Sequence, residues 1–204
     1  MTLDIALILA VDGVATGAIY VLIALGIVLI YSVTRVIFVP FGDIAAFSAL
    51  TLASLQMGRL PGTALLVCVL AAIALAVESI DLARSGKFGL WPRSFLYYGL
   101  APCTPALVAW FVAGARLPAG LDMLLALALV MPIAPLLDRI AFRPLADAST
   151  LILLIVAVAV HFAISGLALL FFGPEGFRTE PLTRYNFSIG GFPVSAQTML
   201  MVAA

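Results

Sequence analysis

Charge is what this sequence has least of. Ten Lys and Arg and ten Asp and Glu amount to 10% of 204 residues, with a formal net charge of zero. A soluble domain carries about 25% charged residues, so this chain lacks the polar surface that keeps a globular protein in water. The lack of a basic excess argues against a nucleic-acid partner, because phosphate binding needs clustered Lys and Arg. There is one histidine, His161, and there are two cysteines, Cys68 and Cys103, both in apolar runs. No H-E-x-x-H, no paired intramembrane Asp and no Cys/His metal spacing occurs, so a metal site and an intramembrane hydrolase have no support. The cysteines read as small buried hydrophobes, since a disulfide framework needs clustered spacing. The N-terminal MTLDIALILAVDG lacks a basic n-region and carries Asp4. It reads as the start of an uncleaved span rather than as a signal peptide.

What is there is hydrophobic length. The chain is 65% hydrophobic and its mean hydropathy is +1.26, the composition of an integral membrane protein. The stretch Gly13 to Thr34 carries no charged residue. At 1.5 Å per residue it covers about 33 Å, enough for the ~30 Å hydrocarbon core. Gly13 and Gly17 form a G-x-x-x-G pair, a spacing that lets helix backbones approach closely in lipid, and Gly26 belongs to the same packing set.

The expected architecture is an all-α polytopic bundle of about six transmembrane helices plus the start of a seventh. Beyond the first span, helices are expected at about Asp43–Met57, Thr63–Ile80, Ser94–Ala113, Leu121–Leu137 and Thr150–Phe172, with an apolar start at Ser195–Ala204. The second is short for a span and rich in Ser and Thr, so it should be tilted or shielded. Pro102 and Pro105, and again Pro132 and Pro135, predict kinks. Trp91 is placed like an interface anchor, and Gly173 to Pro193 reads as a long polar loop. Alternate loops hold Arg35, Arg84, Lys87, Arg93, Arg139 and Arg143 on one side and Arg59, Arg116, Arg178 and Arg184 on the other. The larger set belongs in the cytoplasm, with the N-terminus outside.

Few polar residues offer chemistry. His161 lies at mid-depth of its span. It suits a proton relay or, as the plainer reading, one satisfied hydrogen bond between helices; the plainer reading is expected, because no second titratable group shares its helix face. Asp12 reads as a helix-end residue at headgroup water. Asp43 is explained by the dipole of the helix it opens. Thr16, Tyr20 and Asp43 are the candidates for a substrate pathway. Glu78, near a cytoplasmic helix end, is expected to be solvated there, with pairing to Arg84 as the alternative. Arg139 and Arg143 lie four apart in DRIAFRPL, and either contact anionic lipid or a cytoplasmic partner or only set topology.

Two stretches, DGVATGAIYVLIALGIVLIYSVTRVIFVPFGD (Asp12 to Asp43) and DRIAFRPL (Asp138 to Leu145), together resemble the permease subunits of branched-chain amino-acid ABC importers, the LivH-like family. That family shows G-x-x-Y-A-L-x-A-L-G-x-x-L-I-Y-G, then R-V-I-N-F-A-H-G-D, then E-R-x-A-Y-R-P-L. Gly17, Tyr20, Leu22, Ala24, Leu25, Gly26, Leu29, Ile30, Tyr31, Arg35, Val36, Ile37, Gly42 and Asp43 match. So do Arg139, Ala141, Arg143, Pro144 and Leu145. Phe38-Val39-Pro40-Phe41 stands where the family has N-F-A-H. Residues 81–137 add two apolar runs before the R-P-L motif, a possible two-span insertion, and the chain stops before the family's later cytoplasmic loop.

The resemblance implies a single transmembrane permease domain over residues 1–204, incomplete at the C-terminus, in a bacterial inner membrane. It would work with a homologous permease subunit, cytoplasmic ATP-binding subunits and a periplasmic substrate-binding protein. It would catalyse no reaction and bind no cofactor; ATP would be used by the partners. The cargo would be a branched-chain or related amino acid. Two other readings remain: a secondary transporter, which calls for inverted repeats and an intramembrane ion site, and a non-transporting membrane fragment or anchor.

Overall fold

A computed structural model describes residues 3–86, 89, 91–115, 117–174, 177, 179, 186–189 and 192–195. The protein is an all-α membrane bundle. Five helices among the described residues are long and apolar enough to cross a membrane. The chain divides into two compact units, residues 1–37 with 180–204, and residues 38–179.

The first unit holds α1, Leu3–Thr34, whose membrane-spanning part is Leu9–Thr34. At its end the Thr34 hydroxyl donates to the Ile30 carbonyl at 2.7 Å, and the Arg35 amide donates to Tyr31. Arg35 has φ 57°, the left-handed stop that usually calls for glycine. The same unit contains an antiparallel pair, β1 Asn186–Ile189 and β2 Phe192–Ser195, in register Asn186↔Ser195 and Ile189↔Phe192. The loop expected at Gly173 to Pro193 therefore carries a hairpin. Its sequence signal is the Gly190-Gly191 pair between two short alternating runs. The apolar start expected over Ser195–Ala204 lies outside the described residues, apart from Ser195 at the end of β2.

The second unit is built from five helices: α2 Phe41–Gln56, α3 Gly62–Ser85, α4 Trp91–Val112, α5 Ala119–Leu145 and α6 Thr150–Phe172. At 16 residues, α2 covers about 24 Å, too short for a full crossing. Its hydroxyls are tolerated because they bond to their own helix: Ser48 donates to Ile44 at 3.0 Å, Thr51 to Phe47 at 2.6 Å and Ser54 to Leu50 at 2.9 Å. Thr51 also meets Thr63 of α3, oxygen to oxygen at 2.5 Å. A hydroxyl has one proton, so with Thr51 donating to Phe47, Thr63 donates to Thr51.

The prolines distort α4 and α5. Residues Phe95–Leu100 of α4 form a π-helical turn just ahead of Pro102, which has no N–H to continue an α-helical ladder. Pro105 likewise leaves the Ala101 carbonyl without its usual donor, and the Thr104 hydroxyl takes that place at 2.9 Å. In α5 the α-helix is interrupted between Val130 and Ile133, around Pro132. It then continues as a π turn, Asp138–Phe142, and a 3-10 turn, Arg143–Leu145. DRIAFRPL is thus the last part of a helix, where the charge and Pro144 suggest a loop.

Small side chains hold the helices close. Ala71 and Ala74 of α3, Ala106 and Ala109 of α4 and Ala126 of α5 are buried, the mode of packing that works where lipid supplies no hydrophobic drive between helices. A Cβ on Gly62 would sit 2.6 Å from the Phe171 Cβ, and one on Gly99 would sit 2.7 Å from a Leu75 methyl. A larger cluster around Phe47, Val67, Ile133, Leu136 and Phe172 fills the centre, with the Phe47 and Phe172 rings edge to face at 5.7 Å.

Candidate functional site

Two polar clusters lie inside the second unit. The first joins α2 to α6. His161 and Ser165 are four apart on α6 and so share a face. Both reach Asp43, in the first turn of α2. Ser165 Oγ donates to Asp43 Oδ1 at 3.0 Å, and His161 Nδ1 lies 2.6 Å from Asp43 Oδ2. The Asp43 side chain is 13% exposed and that of His161 is 37% exposed. The carboxylate also sits at the positive end of the α2 dipole. The expected single hydrogen bond between helices is present at His161, and its partner is a titratable group delivered by a different helix. Ser165 donates to Asp43 rather than to His161, so the three do not form the serine–imidazole pair that nucleophilic catalysis uses.

The second cluster ties α3, α4 and α5 together. Arg139 is buried, its side chain 8% exposed. Its Nε donates to Glu78 Oε2 at 2.6 Å and its Nη2 to Asp81 Oδ2 at 2.5 Å. Ser94 of α4 donates to the other Glu78 oxygen at 3.1 Å. Arg143 Nη1 donates to the Tyr98 hydroxyl at 3.1 Å. Glu78 and Asp81 are three apart on α3 and present one face to the guanidinium. The helical continuation through Asp138–Phe142 is what brings Arg139 to them. A cavity of about 190 Å³ adjoins the cluster, lined by Leu75, Glu78, Ser79, Trp91, Ser94 and Phe95.

Glu78 is neither solvated, as expected, nor paired with Arg84: it is largely buried and bonded to Arg139, and Arg84 is exposed in the last turn of α3. The guanidinium of Arg139 is buried in the bundle, held by two carboxylates of α3. Arg143 is exposed at the end of α5. Asp43 joins the α2–α6 cluster. Thr16 and Tyr20 lie on α1, both exposed, in the other unit. A Cβ at Gly13 or Gly17 meets nothing within 4 Å among the described residues, and Gly26 is half-buried.

Ser165, Ser94, Tyr98 and Asp81 are cluster members that the sequence alone did not single out. Ser165 had one usable signal, its i,i+4 spacing from the only histidine. A further buried carboxylate, Asp122, stands in the first turn of α5, where the helix dipole favours negative charge. Among the described residues no group of three or more His, Cys, Asp or Glu is placed to hold a metal ion. Comparison with protein-family models, with curated proteins and with solved structures finds no match to this chain.

Proposed function

We propose that this chain is the transmembrane permease component of an ATP-driven importer of branched-chain or related amino acids, in a bacterial inner membrane. The observation that carries the reading is the ordered pair of motif stretches in a multispan chain. Each contains a charged residue that the bundle anchors internally: Asp43 to α6 and Arg139 to α3. In this reading the chain pairs with a homologous permease subunit and docks on cytoplasmic ATP-binding subunits. A periplasmic binding protein delivers the solute. ATP binding and hydrolysis on the partners shift the permease between inward- and outward-facing populations through their differential affinity for the two states. The chain itself needs no cofactor.

One observation favours a second reading. The Asp43–His161 pair is an intramembrane ionisable pair of the kind that secondary transporters use for coupling ions. Coexpression with candidate ATP-binding subunits, followed by uptake in membrane vesicles, separates the two. Copurification with an ATPase and uptake that needs ATP support the permease. Uptake in ATP-depleted vesicles, driven by an ion gradient, overturns it in favour of the carrier. Copurification with no ATPase and no uptake overturns both and leaves a membrane anchor.

A further inference from the structure

His161 is the twelfth residue of the 23-residue α6, which puts it roughly 17 Å from either end of that helix. There it meets the first turn of α2, a helix too short to cross the membrane. A carboxylate and an imidazole therefore touch at mid-depth of a span, with a serine hydroxyl on the carboxylate's other oxygen. Ionisable groups at that depth are costly; they pair with one another and mark proton or ion paths.

Geometry and charge identify the ligand. His161 Nδ1 and Asp43 Oδ2 are 2.6 Å apart. That separation holds one proton. It is too short for a metal ion between the two atoms, since ligands about 2.0–2.2 Å from a metal stand about 3 Å or more from each other. The carboxylate with a neutral imidazole carries one negative charge, and one added proton makes the pair neutral overall.

No other charge on the neighbouring helices completes the cluster. The charged side chains on elements packed against α2 and α6 are Glu78, Asp81 and Arg84 on α3 and Asp122, Asp138, Arg139 and Arg143 on α5. Arg139 is committed to Glu78 and Asp81, and Arg143 to Tyr98. Among the described residues the bonds to the Asp43 carboxylate come from His161 and Ser165.

We propose that Asp43, His161 and Ser165 form a proton-binding site inside the membrane: the neutral imidazole donates its Nδ1–H to Asp43 Oδ2, and the bound proton is taken up at Nε2, giving an imidazolium–carboxylate pair. The proton comes from water and returns to it. No covalent bond between heavy atoms forms or breaks, and nothing is oxidised or reduced. Ser165 orients the carboxylate by holding its second oxygen. The site stands on these contacts and does not depend on which transport reading is correct.

The single histidine makes the test direct. The full chain, labelled with ¹⁵N-histidine and placed in lipid nanodiscs, gives one imidazole signal set to follow from about pH 5 to about pH 9. The imidazole signals and the carboxylate infrared band lost in Asp43→Asn are expected to change together in one step. Asp43→Asn should change the pH response of the imidazole signals, and Ser165→Ala should change it less. An imidazole that keeps one protonation form across this range in the wild-type chain overturns the proposal, as does a pH response unchanged by Asp43→Asn. The wild-type measurement decides the matter alone if the Asn variant fails to fold.

Discussion

Replacing Arg139 by Met removes one guanidinium and leaves two carboxylates behind. The cost divides unequally between them. Glu78 is 17% exposed and Asp81 is 55% exposed at the side chain. Without Arg139, Glu78 stays in the bundle with only the Ser94 hydroxyl as a described partner. Breaking a buried pair in this way costs about 3–5 kcal/mol, mostly the penalty of the uncompensated charge. The Asp81 share is screened by solvent and is worth at most about 1 kcal/mol. Arg139→Met should therefore destabilise the bundle by at least about 3–5 kcal/mol, a factor of roughly a hundred to several thousand in the folding equilibrium. Arg139→Lys should fall between it and the wild type, because an ammonium cannot reproduce the two-pronged geometry.

The chain carries its own reporter. Cys68 and Cys103 are free and partly buried, so a thiol-reactive fluorogenic dye reads unfolding in mixed micelles as denaturing detergent is increased. Adding Glu78→Gln to Arg139→Met should recover part of the loss, because the stranded charge is then gone, and the cycle should show a coupling of about 2 kcal/mol or more. Asp81→Asn should cost less than about 1 kcal/mol. An Arg139→Met variant within about 1 kcal/mol of wild type would refute the burial reasoning. So would an Asp81→Asn variant as unstable as Arg139→Met, since that would put the anchor on the exposed carboxylate.

The same unfolding assay checks the packing. Gly62→Ala drives a Cβ to 2.6 Å from the Phe171 Cβ, an atom fixed to its backbone, and should cost about 1–3 kcal/mol. Gly99→Ala first meets a Leu75 methyl at the end of a flexible side chain, so it should cost clearly less; equal costs would contradict this contrast. Thr51→Val should be worse than Thr63→Val, because it strands the Thr63 proton donor in a buried site, at about 1–3 kcal/mol against about 1 kcal/mol. The reverse order would mean that the donor direction is wrong. Gly17→Leu places a large side chain where no described residue stands within 4 Å of a Cβ. It should leave unfolding unchanged and, on the proposed function, lower the yield of complex with partner subunits; an unchanged yield would count against the Gly13–Gly17 face as a helix–helix contact.

Elements set by composition and hydrophobic length were legible in the sequence. Thr150–Phe172 is read there with the bounds that α6 has in the structure, since Ser149 and Gly173 bracket an unbroken apolar run. The distortions around Pro102, Pro105 and Pro132 were also readable, because a missing N–H is a local property. What was not readable depends on distant partners. Charges and Pro144 made Asp138 to Leu145 look like a loop; the helix continues there, with Arg139 meeting two carboxylates 58 and 61 residues away. Asp43 and His161 are 118 apart, and no local pattern links them. The contacts between polar residues, more than the spans themselves, are what tertiary structure added.

Those contacts bear on the segment that departs from the family pattern. Residues 81–137 read in the sequence as a possible two-span insertion, yet they supply Asp81, Ser94 and Tyr98 to the Arg139 and Arg143 cluster. They also provide Ala106, Ala109, Leu125, Ala126 and Leu129, most of the buried cluster that Leu55 of α2 and Ala64 of α3 pack against. Removing the segment would strip α3 of its closest neighbour and leave Arg139 one carboxylate. α4 and α5 are therefore core rather than appendage. Because α3 is held to α5 by the Arg139–Glu78 pair and to α4 by the Ser94–Glu78 hydrogen bond, a motion that separated α3 from α5 would have to break the Arg139–Glu78 bond. That bond costs several kcal/mol to break, so movement of α3 and α5 together is the cheaper course.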